Sequence, residues 1–208
     1  MKKQIVNLFP MSTAMVLALL LLACSSRKQE DKKGETGKME MADTKPAEKT
    51  PASVKVFENV DPSVKAQLSG FLLDYFAINQ ALIEDNKDGA KAAAKKFSEA
   101  VTKFDMSKLM GEQMDFYRVQ LATLTQSLKA INESADIEET RMELATLSEA
   151  VYALAKAYHP QGSELYFQFC PMAKNGEGAN WLSSTKEIIN PYMGQRMPHC
   201  GRTQETID

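Results

Sequence analysis

Between Asp61 and Tyr158 the apolar residues return every three or four positions, the period of helices that each bury one face. Val64, Leu68, Phe71, Tyr75, Ile78 and Leu82 predict a first helix, opened by Asp61 as N-cap and Pro62 as first helical residue. Asn86-Lys87-Asp88-Gly89 is expected to end it. A second, shorter helix turns Ala93, Phe97, Ala100 and Phe104 inward, with Asp105 and Gly111 bounding a break. Met114, Tyr117, Leu121, Leu124, Leu128 and Ile131 form the seam of a third. Asp136 and Glu139 are spaced like a capping box ahead of a fourth, which carries Ile137, Leu144, Leu147, Val151, Leu154 and Tyr158 and stops at His159-Pro160.

Four amphipathic helices on short connections predict a mainly α fold, an antiparallel up-down four-helix bundle over residues 53–160. The inner aromatics Phe71, Tyr75, Phe97, Phe104 and Tyr117 are read as core. The outer faces alternate Lys with Glu and Asp and are read as solvated surface. No helix carries a Glu-x-x-His pair, which excludes a di-iron bundle. A chain of this size buries roughly 70% of its surface, so the scaffold does not need a metal to fold.

After Pro160 the period changes. Leu165, Phe167 and Phe169 alternate with Tyr166, Gln168 and Cys170, the pattern of a short strand. Gly176, Gly178 and Asn180 predict a turn, and Ser184 with Glu187 a single capped helical turn ended by Asn190-Pro191. Residues 161–208 are thus expected to form a small irregular appendage with one or two short strands, packed on the bundle as part of the same domain.

Upstream of the helices the pattern is that of export. Lys2 and Lys3 precede an apolar run from Met11 to Ala23, too short at about 20 Å of helix to cross a bilayer core of ~30 Å. Residues 1–23 are read as a signal peptide. Leu21-Leu22-Ala23-Cys24 resembles the lipobox of bacterial lipoproteins, which implies cleavage before Cys24 and its acylation, palmitate included. Ser25 and Ser26 follow, and by resemblance to sorting rules the lack of aspartate there implies the outer membrane rather than the inner. The expected location is therefore the cell envelope, lipid-anchored, facing the periplasm or the cell surface. Residues 24–52 hold seven basic and six acidic side chains after Cys24 and no aromatic or branched aliphatic one. They cannot bury enough apolar surface to offset chain entropy and are read as a disordered tether.

Composition adds exclusions. The formal net charge of the 208 residues is -2 with both signs interspersed, so no nucleic-acid footprint is visible. Of the three cysteines, Cys24 belongs to the leader, leaving the pair Cys170 and Cys200. Cys170 with His159 or His199 imitates a nucleophile and base, but no third residue orients them, and the glycines at 176 and 178 lack the helix and lysine of a phosphate loop. The chain is not read as an enzyme.

Candidate chemistry lies in Leu165–Arg202. Cys170-Pro171-Met172-Ala173, Gly178-Ala179, Trp181-Leu182-Ser183, Ile189-Asn190-Pro191-Tyr192, Gly194, Met197 and Cys200-Gly201 stand at spacings that resemble the family of domains of unknown function numbered 3347. That family occurs as cell-envelope lipoproteins and at the C-terminus of copper/silver efflux adaptor proteins. Met193 and Pro198-His199 depart from its pattern. The resemblance implies heavy-metal handling and an efflux adaptor or another envelope protein as partner.

On chemistry alone, two thiolates with thioethers are soft donors that favour Cu(I). The ligand set would be Cys170, Met172, Met197 and Cys200, with His199 optional. Equally open is a Cys170–Cys200 disulfide closing a loop of about thirty residues and stabilising by roughly 3–4 kcal/mol. That reading makes the chain a structural or protein-interaction module. A reversible switch between the two states joins both.

Overall fold

The computed structural model describes residues 53–208 apart from Gln161 and Ser163; the predicted leader, the Cys24 lipidation site and the tether all lie outside the described residues. Four helices, α1 (Pro62–Ile83), α2 (Lys87–Thr102), α3 (Glu112–Glu133) and α4 (Ile137–Tyr158), precede three strands, β1 (Leu165–Cys170), β2 (Ala179–Ser183) and β3 (Arg202–Ile207). The fold is mainly helical with a small antiparallel sheet at its C-terminal end. Among the described residues no helix is long and apolar enough to cross a membrane.

Local signals open and close the helices. The Asp61 carboxylate accepts the amide of Ser63 beneath Pro62, and Asp136 accepts that of Glu139. Glu139 reaches back to the amide of Ala135 rather than to that of the cap itself. His159 ends α4 in the left-handed conformation, with Pro160 behind it. Asn86-Lys87-Asp88-Gly89 does more than end α1. Asn86 is the N-cap of α2, accepting the amide of Gly89, and the other three residues are helical. The inward face of α2 is rotated accordingly, to Ala90, Ala94, Phe97 and Val101, and Phe104 lies past the helix end.

Helix α1 packs on α2 and α4, α2 on α3, and α3 on α4. Tyr75, Ile78, Leu82, Phe97, Tyr117, Leu124, Leu128, Ile131, Leu144 and Leu147 are fully buried between them. Phe104 stacks on Tyr117 with ring centroids 4.2 Å apart. Ahead of α1, the amide of Phe57 binds the Ala157 carbonyl at 2.8 Å, and its ring lies 5.2 Å from that of Tyr158.

The sheet has the order β2-β1-β3, all antiparallel. The apolar strand β1 is central; β2 runs against α4, and Phe167 of β1 stacks on Tyr152 of α4 with ring centroids 3.9 Å apart. Two α1 side chains pin β2: Asn79 donates to the Leu182 carbonyl at 3.1 Å, and the Leu182 amide donates to the Tyr75 hydroxyl at 3.1 Å. The Tyr75 hydroxyl also meets Ser148 of α4 at 2.7 Å, so one buried phenol ties two helices to the sheet.

Three expectations for the appendage are corrected. It holds three strands rather than one or two. β3, Arg-Thr-Gln-Glu-Thr-Ile, carries no apolar alternation and buries only Ile207. It is held by pairing with β1 and by Glu205, which accepts from Lys156 at 2.5 Å and Tyr152 at 2.6 Å on α4. Asn180 is a strand residue, not part of the turn. Residues 184–187 form bends instead of a helical turn, because the buried Gln168 amide donates to the carbonyls of Thr185, Lys186 and Glu187 and holds the chain open.

Arg141 closes the other end. It is 4% exposed, and its guanidinium donates to the carbonyls of Leu82 and Pro191, to Asp85 at 2.5 Å and to Glu138 at 3.0 Å. One side chain therefore joins the end of α1, the start of α4 and the loop after β2. Gly194 lies against this group with φ +51, where a Cβ would stand 2.1 Å from an Asp85 oxygen and 2.5 Å from Arg141 Nη2. The Arg141 hydrogen bond holds the Asp85 carboxyl below its ordinary 3.8, helped by the Gln195 amide. A depressed pKa stabilises fully above the ordinary value and loses that stabilisation as pH falls through the lowered one. Asp85→Asn is thus expected to melt below wild type near neutrality, the two midpoints converging as pH falls below the ordinary carboxylate range. A gap that stays constant on acidification would show that this ion pair is not the source.

Candidate functional site

Cys170 is the last residue of β1, and Cys200 stands two positions before β3. Because β3 runs back along β1, with Phe169 opposite Arg202, residues thirty positions apart meet. Their sulfurs are 3.4 Å apart and both thiols are free. Cys170 is fully buried and Cys200 half-buried.

The backbone around Cys200 is fixed from three sides. Its carbonyl accepts the Asn190 amide at 2.5 Å, and its own amide donates to Met197 at 3.2 Å. Asn190 is fully buried: its amide donates to the Pro198 carbonyl at 2.8 Å and its side-chain oxygen accepts the amides of Tyr192 and Met193. Gly201, at φ +148, passes so close to the sheet that a Cβ would lie 2.8 Å from the Phe169 carbonyl oxygen and 2.9 Å from Trp181 Cη2. Trp181 and Tyr192 are buried next to this crossing, ring edge to face at 6.0 Å, and the Tyr192 hydroxyl donates to the Asn180 carbonyl.

Electrostatically Cys200 holds its proton. Burial, then the hydrogen bond and charge of Cys170, push the Cys200 thiol up to about 11. A metal taken up here would displace protons, and uptake would strengthen with pH.

The other predicted ligands are placed differently. His199 is exposed, and its Nδ1 donates to the Ile188 carbonyl at 2.9 Å, leaving Nε2 as the nitrogen with a lone pair. Met197 is 36% exposed in the turn before Cys200. Met172 is 53% exposed and lines a cavity of about 280 Å³ with Met142, Met193, Glu138, Arg141 and Arg196. Sequence reasoning missed Met142 and Met193 as members of this group. Among the described residues, no three or more His, Cys, Asp or Glu side chains are grouped to hold a metal ion.

The thiol pair fits a soft ion as a two-sulfur chelate. With a metal–thiolate bond of about 2.3 Å, as for zinc, two thiolates on one ion stand roughly 3.8 Å apart at a tetrahedral angle and 4.6 Å apart in line. The observed 3.4 Å lies within half an ångström of the first. Further donors would have to come from the neighbouring turns.

No curated protein and no solved structure matches the chain. A family model does match, over residues 72–163, which run from the middle of α1 to just past α4. The cysteine-bearing motifs that resemble the family in the sequence lie beyond that span. Across those residues, fewer than half of the 208, the chain is similar to the family described as a protein of unknown function, DUF3347.

Proposed function

We propose that the chain is a lipid-anchored cell-envelope module that binds Cu(I) at the Cys170–Cys200 pair and serves beside an efflux system as chaperone or buffer. In this reading α1–α4 are an antiparallel bundle whose task is to hold the small sheet. Binding, not catalysis, is the activity, and the membrane is met through acylated Cys24. The observation that supports it is the 3.4 Å approach of two soft donors on a backbone clamped by Asn190 and Gly201. Met197 and His199 flank Cys200 and Met172 follows Cys170 by two positions, so these three are the candidates to complete the shell.

The same approach favours a second reading, in which the pair oxidises to a disulfide and the appendage is a stapled structural or protein-interaction module. Thiol counting on unreduced full-length protein, with a Cu(I) competition titration, separates the two. The thiol pair of reduced wild type is expected to take one equivalent, with affinity rising up to about tenfold per pH unit for each proton displaced. Cys170→Ser/Cys200→Ser is expected to lose this equivalent. Absence of free thiols at 170 and 200, together with copper uptake before and after mild reduction no greater than that of the double-serine variant, overturns the metal reading. Loss of both cysteines with an unchanged melting temperature overturns the staple.

A further inference from the structure

We propose that the cavity lined by Met142, Met172 and Met193 is a second soft-metal site, taking Cu(I) or its analogue Ag(I) through thioether sulfur alone. It shares with the reading above the class of metal and the side chain of Met172, and it does not depend on the thiol pair. Three segments far apart in sequence converge here: the first turns of α4, the turn after β1, and the loop after Asn190-Pro191. Met142 and Met172 are 40% and 53% exposed, so these thioethers face a space open to solvent rather than the core. Met193 is half-buried beneath.

The electrostatics admit a monovalent cation. Arg141 is engaged by Asp85 and Glu138, Arg196 by Glu138, and Lys174 by Glu177. Three cations are matched by three carboxylates, so an incoming cation meets no net repulsion and an anion finds each of these cations already paired. Thioethers are soft, uncharged donors that need no deprotonation. They stay competent when the two thiols are oxidised to a disulfide, a state in which thiolate ligation is lost. The cavity wall is also rigid on one side, since Arg141 binds the Pro191 carbonyl at 3.0 Å, two residues before Met193.

The test uses the full chain carrying Cys24→Ser/Cys170→Ser/Cys200→Ser, with its methionine methyl groups labelled with carbon-13 and titrated with Ag(I). The methyl signals of Met142, Met172 and Met193 are expected to move together and saturate at one equivalent, with the same affinity between about pH 6 and pH 8. Met110, 77% exposed and far along the chain, is the internal control and stays still. Met142→Leu/Met172→Leu/Met193→Leu is expected to abolish the equivalent while keeping the helical signal. If that triple variant does not fold, Met172→Leu alone must weaken binding by about tenfold or more. Movement of Met110 at the same Ag(I) concentration overturns the proposal, as does retention of the equivalent in the folded triple variant or undiminished binding by Met172→Leu. Because the cysteines are absent throughout, failure here leaves the thiol-pair reading standing, and failure of that reading leaves this one.

Discussion

Arg141→Ala is expected to lower the unfolding free energy by about 3 kcal/mol, because breaking a buried, multiply bonded charge strands its partners. The Leu82 and Pro191 carbonyls lose their donor, and Asp85 loses the hydrogen bond that holds it ionised. Asp85 is 40% exposed and regains water, which keeps the cost below that of a wholly buried pair. For a body of this size the loss corresponds to a fall of roughly 6–12 °C in melting temperature. Arg141→Met, which keeps much of the aliphatic stem, isolates the polar share and is expected to recover only a minor part. Denaturant titration of both variants gives the numbers. A loss under about 1 kcal/mol for the alanine variant is surface behaviour and would falsify the account of Arg141 as the fastening of that end.

Gly201→Ala is expected to lower stability by about 2–3 kcal/mol and to separate the two thiols. The added carbon would meet a backbone oxygen at 2.8 Å and the edge of a buried indole at 2.9 Å, and neither is the end of a flexible side chain. Relief requires the strand entry to lift, and Cys200, the preceding residue, lifts with it. Oxidation of the pair by a mild oxidant should therefore slow sharply in this variant. Gly70→Ala is the matching control: it lies inside α1 with nothing within 4 Å of an added Cβ, and should be neutral or stabilising by up to ~1 kcal/mol. Equal oxidation rates in Gly201→Ala and wild type would mean that this crossing does not position Cys200.

What the sequence reveals depends on how local the cause is. Asp61, Asp136 and His159 act within one turn, and their roles are legible from neighbours alone. Asn86 misleads because Asn-Lys-Asp-Gly has the composition of a turn, and only the return of apolar residues at Ala90 and Ala94 separates an N-cap from a terminator. β3 is hidden for another reason: its hold on the body is backbone pairing plus one carboxylate on Tyr152 and Lys156, none of which leaves a hydrophobic period. Arg141 reads as one more charge on a solvated face, since its partners other than Glu138 are fifty or more residues away. The meeting of Cys170 and Cys200 was open to inference from an even cysteine pair, whereas the company of Met172 was not. Met142 sits beside Arg141 on what looks like the outer face of α4, and Met193 fills a place where the resemblance leads one to expect an aromatic ring.

Both ends of the described chain close on one pole of α4. Phe57 binds Ala157, and the His159 ring meets the carbonyl of Asp208 at 3.1 Å. A short peptide could bridge these two points, so residues 53–208 are a candidate for circular permutation, with new ends opened in an exposed connection such as that around Met110. A fluorophore or affinity handle fused after Asp208 would occupy that pole, about 22 Å of helix away from Met142.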